Sequence, residues 1–408
     1  MHRLQHGVQV STINATVNDI LLHWRDDWPG GLDEKAYSTL NLIAQCRQGT
    51  LGFNQVSCQD CHHKDWYASS CGNRHCPNCL GPRQAKWSDN VCERLPDCPH
   101  FHIVFTLPLE VQEFFKKNYR IAGDLLFTSA AELLKLFQKN NWKIETGFLA
   151  VLHTWGSALN WHPHLHVLVS SGGRHCETGK WSQARANYLF PVRNMSAVFK
   201  AIFLRHLEAL EASREVKWPE GLDTLEARRD WRVRLAGRNW NIFSRATLGN
   251  TRAVVRYLAR YTSRIAISNQ RIKSIDEQER TVTIETKDYN NGGPYDYCKK
   301  DITFSSKAFM RRFSDHIVPE GFRRLRSYGM LAGPRNRHRE LEGAPQTSIN
   351  EKAPKKLDRA CAKCGSSHFR SLRLGNRCNF DLPAVGILLQ FAISQMVGRY
   401  SLGPPNPS

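Results

Sequence analysis

Long apolar runs are missing from this sequence. The nearest approach, Leu382-Pro383-Ala384-Val385-Gly386-Ile387-Leu388-Leu389-Gln390-Phe391-Ala392-Ile393, is interrupted by Pro383, Gly386 and Gln390. It falls short of the ~20 apolar residues a membrane span requires, so no membrane partner is expected. Met1-His2-Arg3-Leu4-Gln5-His6 leads into mixed polar sequence without the apolar segment of an export leader. The expected compartment is therefore the cytoplasm. Acidic residues are the second shortage: 37 Asp+Glu stand against 57 Lys+Arg, a formal net charge of +20 over 408 residues. That imbalance predicts an anionic partner, nucleic acid first. Runs such as Arg323-Arg324-Leu325-Arg326 and Arg335-Asn336-Arg337-His338-Arg339 concentrate the charge, and 11 Trp and 11 Tyr are available to stack on bases.

Cysteine is plentiful, with 13 in the chain. Their grouping into Cys-x-x-Cys pairs favours reduced, metal-bound thiolates over a secreted disulfide framework. Cys58-x2-Cys61 is followed after 14 residues by Cys76-x2-Cys79. Two such pairs read as one tetrahedral structural Zn2+ site of ribbon type. Cys46, His62, Cys71 and His75 are further candidate ligands, so the set is open to permutation or to a second metal. Cys361-x2-Cys364, with His368 or Cys378, is a candidate second knuckle.

The chemistry centres on Trp161-His162-Pro163-His164-Leu165-His166-Val167-Leu168-Val169-Ser170. Histidine alternates with apolar residues at period two, the strand signal, so His164 and His166 share one face. Two imidazoles on a stiff strand make half a site for a divalent ion. Phe148 to Trp155 reads as the preceding strand, and antiparallel pairing would set His153 opposite the pair. His162 is the substitute if His153 faces away. Further on, Thr251 to Ser263 reads as a helix with Tyr257 and Tyr261 on one face. Arg256, Arg260 and Arg264 form a parallel series that would seat phosphates.

These motifs resemble a known family. His164-Leu165-His166 is similar to the His-hydrophobic-His (HUH) motif of single-strand endonucleases, and His153 is similar in spacing to the third ligand of conjugative relaxases. Val254-Val255-Arg256-Tyr257-Leu258-Ala259-Arg260-Tyr261-Thr262-Ser263-Arg264 resembles the tyrosine motif of two-tyrosine rolling-circle transposases of bacterial insertion sequences, the IS91 group. The cysteine cluster, Phe101-His102-Ile103-Val104-Phe105-Thr106-Leu107-Pro108 and Arg264-Ile265-Ala266-Ile267-Ser268-Asn269 fit the same group. The resemblance spans roughly residues 10 to 335.

It implies an α+β fold: an HUH core whose antiparallel sheet carries helices on one face and the metal on the other, preceded by a small helical and zinc-ribbon module. It implies Mg2+ or Mn2+ at His153, His164 and His166, although three imidazoles suit Zn2+ at least as well. It also implies Tyr257 and Tyr261 as nucleophiles that cleave single-stranded DNA at element ends and join it to target DNA, in a bacterial, nucleoid-associated setting. A replication initiator or relaxase would use the same residues. A non-enzymatic zinc-ribbon DNA-binding protein would leave the histidines and tyrosines idle, and a metallohydrolase would leave the basic charge idle.

The expected domains are 1–95, helical and zinc-binding; 96–330, catalytic; and 331–408, basic, partly disordered, with the candidate knuckle. Within them, two amphipathic helices flank Pro29-Gly30-Gly31. Further helices are expected over 86–95, 109–138, 192–212 and 306–316, and strands over 101–107, 265–275, 281–287 and 300–304. The basic, Trp-containing stretch 225–240 reads as an insertion that contacts DNA. The sequence leaves the oligomeric state open.

Overall fold

A computed structural model describes residues 15–185, 189–247, 255, 266–292, 297–333, 340–345 and 360–374. The chain divides into two units that do not follow chain order. One comprises residues 1–45 and 71–356, the other 46–70 and 357–408. In the smaller unit, residues 53–58 of the cysteine-rich segment pair with residues 369–374 near the C-terminus.

The larger unit opens with α1 (Val17–His23) and α2 (Glu34–Ala44). A capping box of Thr16 and Asp19 starts the first, and the Asp33 side chain caps the second. Gly31, at φ +72°, turns the chain between them. After α3 (Leu80–Cys92) comes a six-stranded sheet built from β3 (His100–Thr106), β4 (Ile144–Trp155), β5 (Trp161–His175), β6 (Trp181–Gln183), β7 (Ile242–Thr247) and β11 (Leu325–Gly329). Its order is β11-β4-β5-β3-β7, with β6 paired to β5. The pairings in this sheet are all antiparallel.

One face of this sheet carries the main core. Phe101, Ile103 and Phe105 of β3, Phe148, Ala150 and Leu152 of β4, and Leu165, Val167 and Val169 of β5 are buried there. Between β3 and β4, α4 (Gln112–Lys117) and α5 (Tyr119–Phe137) cover them, together with α6 (Val192–Ala209) and α7 (Leu225–Gly237). The apolar residues of α6 recur at Met195, Phe199, Ile202, Phe203 and Leu207, a 3.6-residue stripe turned to the sheet. The stretch 225–240 is therefore not an appended insertion. It forms α7 and the approach to β7, and Trp231 and Trp240 are buried in the core rather than presented for stacking.

A second sheet of order β10-β9-β8 contains β8 (Ile272–Asp276), β9 (Thr281–Gly292) and β10 (Tyr297–Ser305), and α8 (Ser306–Ser314) follows it. The smaller unit is one three-stranded sheet, in which β1 (Phe53–Cys58) lies between β2 (Lys64–Ala68) and β12 (Phe369–Leu374). Among the described residues no helix is long and apolar enough to cross a membrane.

Candidate functional site

The hairpin of β4 and β5 positions the histidines. His153 lies directly across from His164, and Val151 across from His166. Directly opposed residues share a face, so His153, His164 and His166 all project from the side opposite the main core. The structure brings them together: one nitrogen from each lies within 4.8 Å of the others. Trp155 stacks on the His153 ring at 4.6 Å between centroids. His162 also lies on this face, its ring 5.2 Å from that of His164, but it is not part of the converging trio.

The hydrogen bonds decide which nitrogens can bind an ion. His164 Nδ1 donates to the carbonyl of His162 at 2.7 Å, which leaves the Nε2 lone pair bare. That Nε2 stands 3.1 Å from Nε2 of His166. Two nitrogens bound at ~2.1 Å to one ion in adjacent positions stand ~3.0–3.4 Å apart. The donor set therefore fits a divalent ion. Burial pushes the His164 imidazole down to about 4 and that of His166 well below its ordinary value. Both rings are thus neutral at physiological pH, the form that ligates.

Sequence reasoning missed His102. It sits on β3 beside β5, buried, with Nε2 2.9 Å from Nδ1 of His166 and the two rings stacked 5.2 Å apart. If His166 presents Nε2 to an ion, its Nδ1–H points at His102, which fixes the ring's orientation. The signal was present in His100-Phe101-His102, the same period-two alternation as His164-Leu165-His166.

Tyr257, Tyr261, Arg256, Arg260 and Arg264 lie outside the described residues. Val255, two positions before Tyr257, is described. It is fully buried in a small cluster with Leu149 of β4, Leu168 of β5, Val91 of α3 and Leu95 just after that helix. Leu149 lies four positions before His153 and Leu168 two after His166, even spacings that put them on the same strand face, so Val255 packs on the histidine face.

The cysteines are not grouped as expected. Cys58, Cys61, Cys76 and Cys79 do not converge. Cys58 and Cys61 meet Cys361 and Cys364 in the smaller unit, with all four sulfurs within 4.8 Å of one another. Cys58 Sγ is 3.6 Å from Cys364 Sγ, and Cys61 Sγ is 3.6 Å from Cys361 Sγ. The two loops are alike. His62 N–H donates to Cys58 O at 3.1 Å, and Gly365 N–H to Cys361 O at 2.8 Å. Cys58 N–H donates to His63 O and Cys361 N–H to Ser366 O, each at 2.8 Å. His62 and Gly365 occupy the same left-handed position, φ +59° and +74°. Paired knuckles of this form, each followed by a strand, make a ribbon-type four-thiolate cage. The backbone N–H of Cys61 is the main influence holding the Cys58 thiol below its ordinary pKa, toward the thiolate that binds metal.

Cys71, Cys76 and Cys79 gather separately in the larger unit, with Cys71 Sγ 3.6 Å from Cys79 Sγ. His75 is not a ligand there. Its Nδ1 donates to Asn73 Oδ1 at 3.0 Å and its Nε2 accepts from Val318 N–H at 3.0 Å, so both nitrogens are engaged. His368 is likewise directed elsewhere, with Nδ1 3.5 Å from Asp60 Oδ2. Cys378 lies outside the described residues.

A sheet with helices on one face, converging histidines on the other and two cysteine clusters frames candidate metal sites, and comparison with known proteins supplies the class, a DNA-processing enzyme. Residues 147–339 match the family model described as "Putative transposase", and residues 16–107 match the IS91-type "Transposase zinc-binding domain". The chain is 35% identical over 306 residues to a protein of Sinorhizobium fredii (strain NBRC 101917 / NGR234) named "Putative transposase y4qJ", covering 74% of this chain and 75% of that one. It is 29% identical over 330 residues to the transposase for insertion sequence element IS801 of Pseudomonas savastanoi pv. phaseolicola, covering 78% of this chain and 75% of that one. No solved structure matches. The chain belongs to the IS91 family of transposases, HUH-type proteins with a cysteine-rich zinc-binding region.

Proposed function

We propose that this transposase cleaves single-stranded DNA at element ends with a tyrosine nucleophile and transfers the strand by a rolling-circle route. The convergence of His153, His164 and His166 on the face where Val255 packs carries this reading. Tyr257 and Tyr261 follow Val255 in the chain. A free tyrosine hydroxyl, with a pKa near ~10, is a weak nucleophile at neutral pH. When bound at the three imidazoles, Mg2+ or Mn2+ would supply positive charge to the non-bridging oxygens of the scissile phosphate. The phenolic oxygen of Tyr257 or Tyr261 attacks phosphorus, and its proton goes to solvent. The bond from phosphorus to the 3′ oxygen breaks, and that oxygen takes up a proton. The 5′ end is then held as a phosphotyrosine ester, which keeps the bond energy for rejoining. The second tyrosine can cut again without releasing the first end. Arg256, Arg260 and Arg264 would seat the flanking phosphates.

Zinc at Cys58, Cys61, Cys361 and Cys364 would be structural. Cys71, Cys76 and Cys79 would supply three ligands of a second zinc.

The test is covalent capture. An oligonucleotide carrying an element end should yield a protease-sensitive 5′ adduct that chelator abolishes. Tyr257→Phe and Tyr261→Phe should each lower or redirect it, and the double change should remove it while DNA binding persists. Cleavage without an adduct would show that water is the nucleophile and overturn the proposal. An adduct that survives the double change would place the nucleophile elsewhere.

A further inference from the structure

The larger unit contains a cavity of 770 Å3 that the reaction scheme above does not use. Lys35, Arg74, Arg323 and Arg324 contribute four cations to its lining, Glu320 one carboxylate, and Trp87 an aromatic ring. Its volume lies in the range of small-ligand sites. Its walls come from three separate stretches: α2, the loop and helix 72–87, and the segment 318–325 that runs into β11.

Those walls are tied together. His75 is buried, and its neutral Nε2 accepts the N–H of Val318, joining the cysteine-bearing loop to the 318–325 segment. Arg74, next to His75, and Arg323 both line the cavity. Arg324 is almost wholly buried, and its carbonyl accepts the N–H of Leu152 at 2.8 Å. Burial pushes its guanidinium down to about 10; Tyr119 opposes this, and Arg74 adds a smaller repulsion. It stays charged at neutral pH and, with the exposed Arg74 and Arg323, makes one wall of the cavity positive. An anion placed against this wall is attracted by the guanidinium groups that line it.

The cavity also lies next to the histidine site. The Arg324 guanidinium carbon is 5.9 Å from the centroid of Trp155, whose ring stacks on His153. One layer of side chains therefore separates the cavity wall from a candidate ligand. A strand with one phosphate at the histidines has its neighbouring nucleotides within reach of this wall.

We propose that this cavity holds an unpaired nucleotide of the DNA strand, its phosphate on Arg74, Arg323 and Arg324 and its base against Trp87. The proposal rests on the reading that single-stranded DNA is the substrate, and adds a seat for a nucleotide outside the reacting phosphodiester. Base stacking on aromatics and guanidinium contacts to phosphate are the two parts of a single-strand binding site. Duplex DNA, whose bases are stacked internally, cannot supply the inserted base.

The experiment uses the full chain with its zinc retained. Single-stranded element-end oligonucleotides carrying bromodeoxyuridine at successive positions are irradiated, and the crosslinked peptide is identified. A crosslink to Trp87 from one or two adjacent positions is expected. In parallel, Arg74→Ala/Arg323→Ala should weaken single-strand binding at least about tenfold and reduce the salt dependence by roughly one to one and a half in log–log slope. Both side chains are exposed, and unchanged zinc content checks the fold of the variant. Trp87→Leu should weaken single-strand binding about tenfold and leave duplex affinity unchanged.

Equal losses for duplex and single strand would overturn the proposal. So would wild-type affinity in the double arginine variant, or crosslinks that map elsewhere. If Arg74→Ala/Arg323→Ala weakens binding but Trp87→Leu does not, the cavity takes phosphate alone and the nucleotide assignment falls. If the wild type binds at Trp87 yet forms no tyrosine adduct, the cleavage proposal fails and this one stands.

Discussion

Replacing Cys361 tests the cysteine cages most sharply, because the sequence and the structure assign its partners differently. Cys361→Ser should remove one equivalent of zinc, the same equivalent that Cys58→Ser removes. The size of the effect follows from how little else holds the smaller unit. Among its described residues the only buried aliphatic side chain is Val56, worth ~1.5–3 kcal/mol. Its strands have six, five and six residues, and a sheet that small is marginal without further support. A structural zinc contributes ~10–16 kcal/mol in small peptides. The metal is therefore the dominant contribution, and its loss should unfold the unit rather than loosen it. Metal analysis of the purified variants and limited proteolysis near Trp66 and Tyr67 of β2 read the two consequences. In Cys58→Ser/Cys361→Ser the loss should remain one equivalent, because both changes open one cage. In Cys58→Ser/Cys76→Ser it should rise to two. A loss of two equivalents in the first double variant, or one in the second, would restore the Cys58, Cys61, Cys76, Cys79 grouping and refute the cage described here.

His102→Ala should lower Mn2+ affinity at the histidine site roughly 10–100-fold, measured by titration calorimetry, while His162→Ala should leave it within about threefold. Stability should fall with acid through His316, whose imidazole burial pushes from 6.5 down to about 4. Between those values the unfolded chain binds more protons than the folded one, so stability drops as pH falls through this window, by ~2 kcal/mol at pH 5. Urea unfolding of His316→Gln should show a shallower pH dependence than wild type, and an unchanged slope would contradict the assignment. Gly173→Ala should cost ~1–3 kcal/mol, because its new methyl group would strike the Glu145 carbonyl on the neighbouring strand. A thermal melt reads that change.

The histidine hairpin was legible because its information is local. Alternation fixes the face of His164 and His166, and a short turn with Gly156 fixes the neighbouring strand. Only the register remained to be found, and it sets His153 opposite His164. His102 was harder to recognise, since nothing local says that β3 lies beside β5. The order β4-β5-β3 places a third strand between chain neighbours and later elements, and a pairing across about sixty residues leaves no periodic trace. The stretch 225–240 misled for another reason. Arginine and tryptophan together suggest DNA contact, but tryptophan contributes so much apolar area that core burial competes strongly. Here Trp240 packs on Phe199 and Phe203.

The cysteines carry the more general lesson, because spacing alone ranked the wrong partner first. Cys76-x2-Cys79 is nearest in sequence to Cys58-x2-Cys61, but it leads straight into α3. Cys58-x2-Cys61 and Cys361-x2-Cys364 each lead into a strand, β2 and β12, and both need a residue in the left-handed region four positions after the first cysteine. Gly365 meets that need at little cost, and His62 belongs to a residue type enriched there. The residue at the corresponding position after Cys76 is Leu80, which begins a helix instead. A thiolate pair is thus sorted by what its loop must become, a strand turn or a helix start, before distance along the chain is considered. Loop closure makes the same point. Its entropic cost grows only with the logarithm of loop length, so joining residue 58 to residue 361 costs only a few kcal/mol more than joining it to residue 76, and matching knuckles around one ion readily offset the difference.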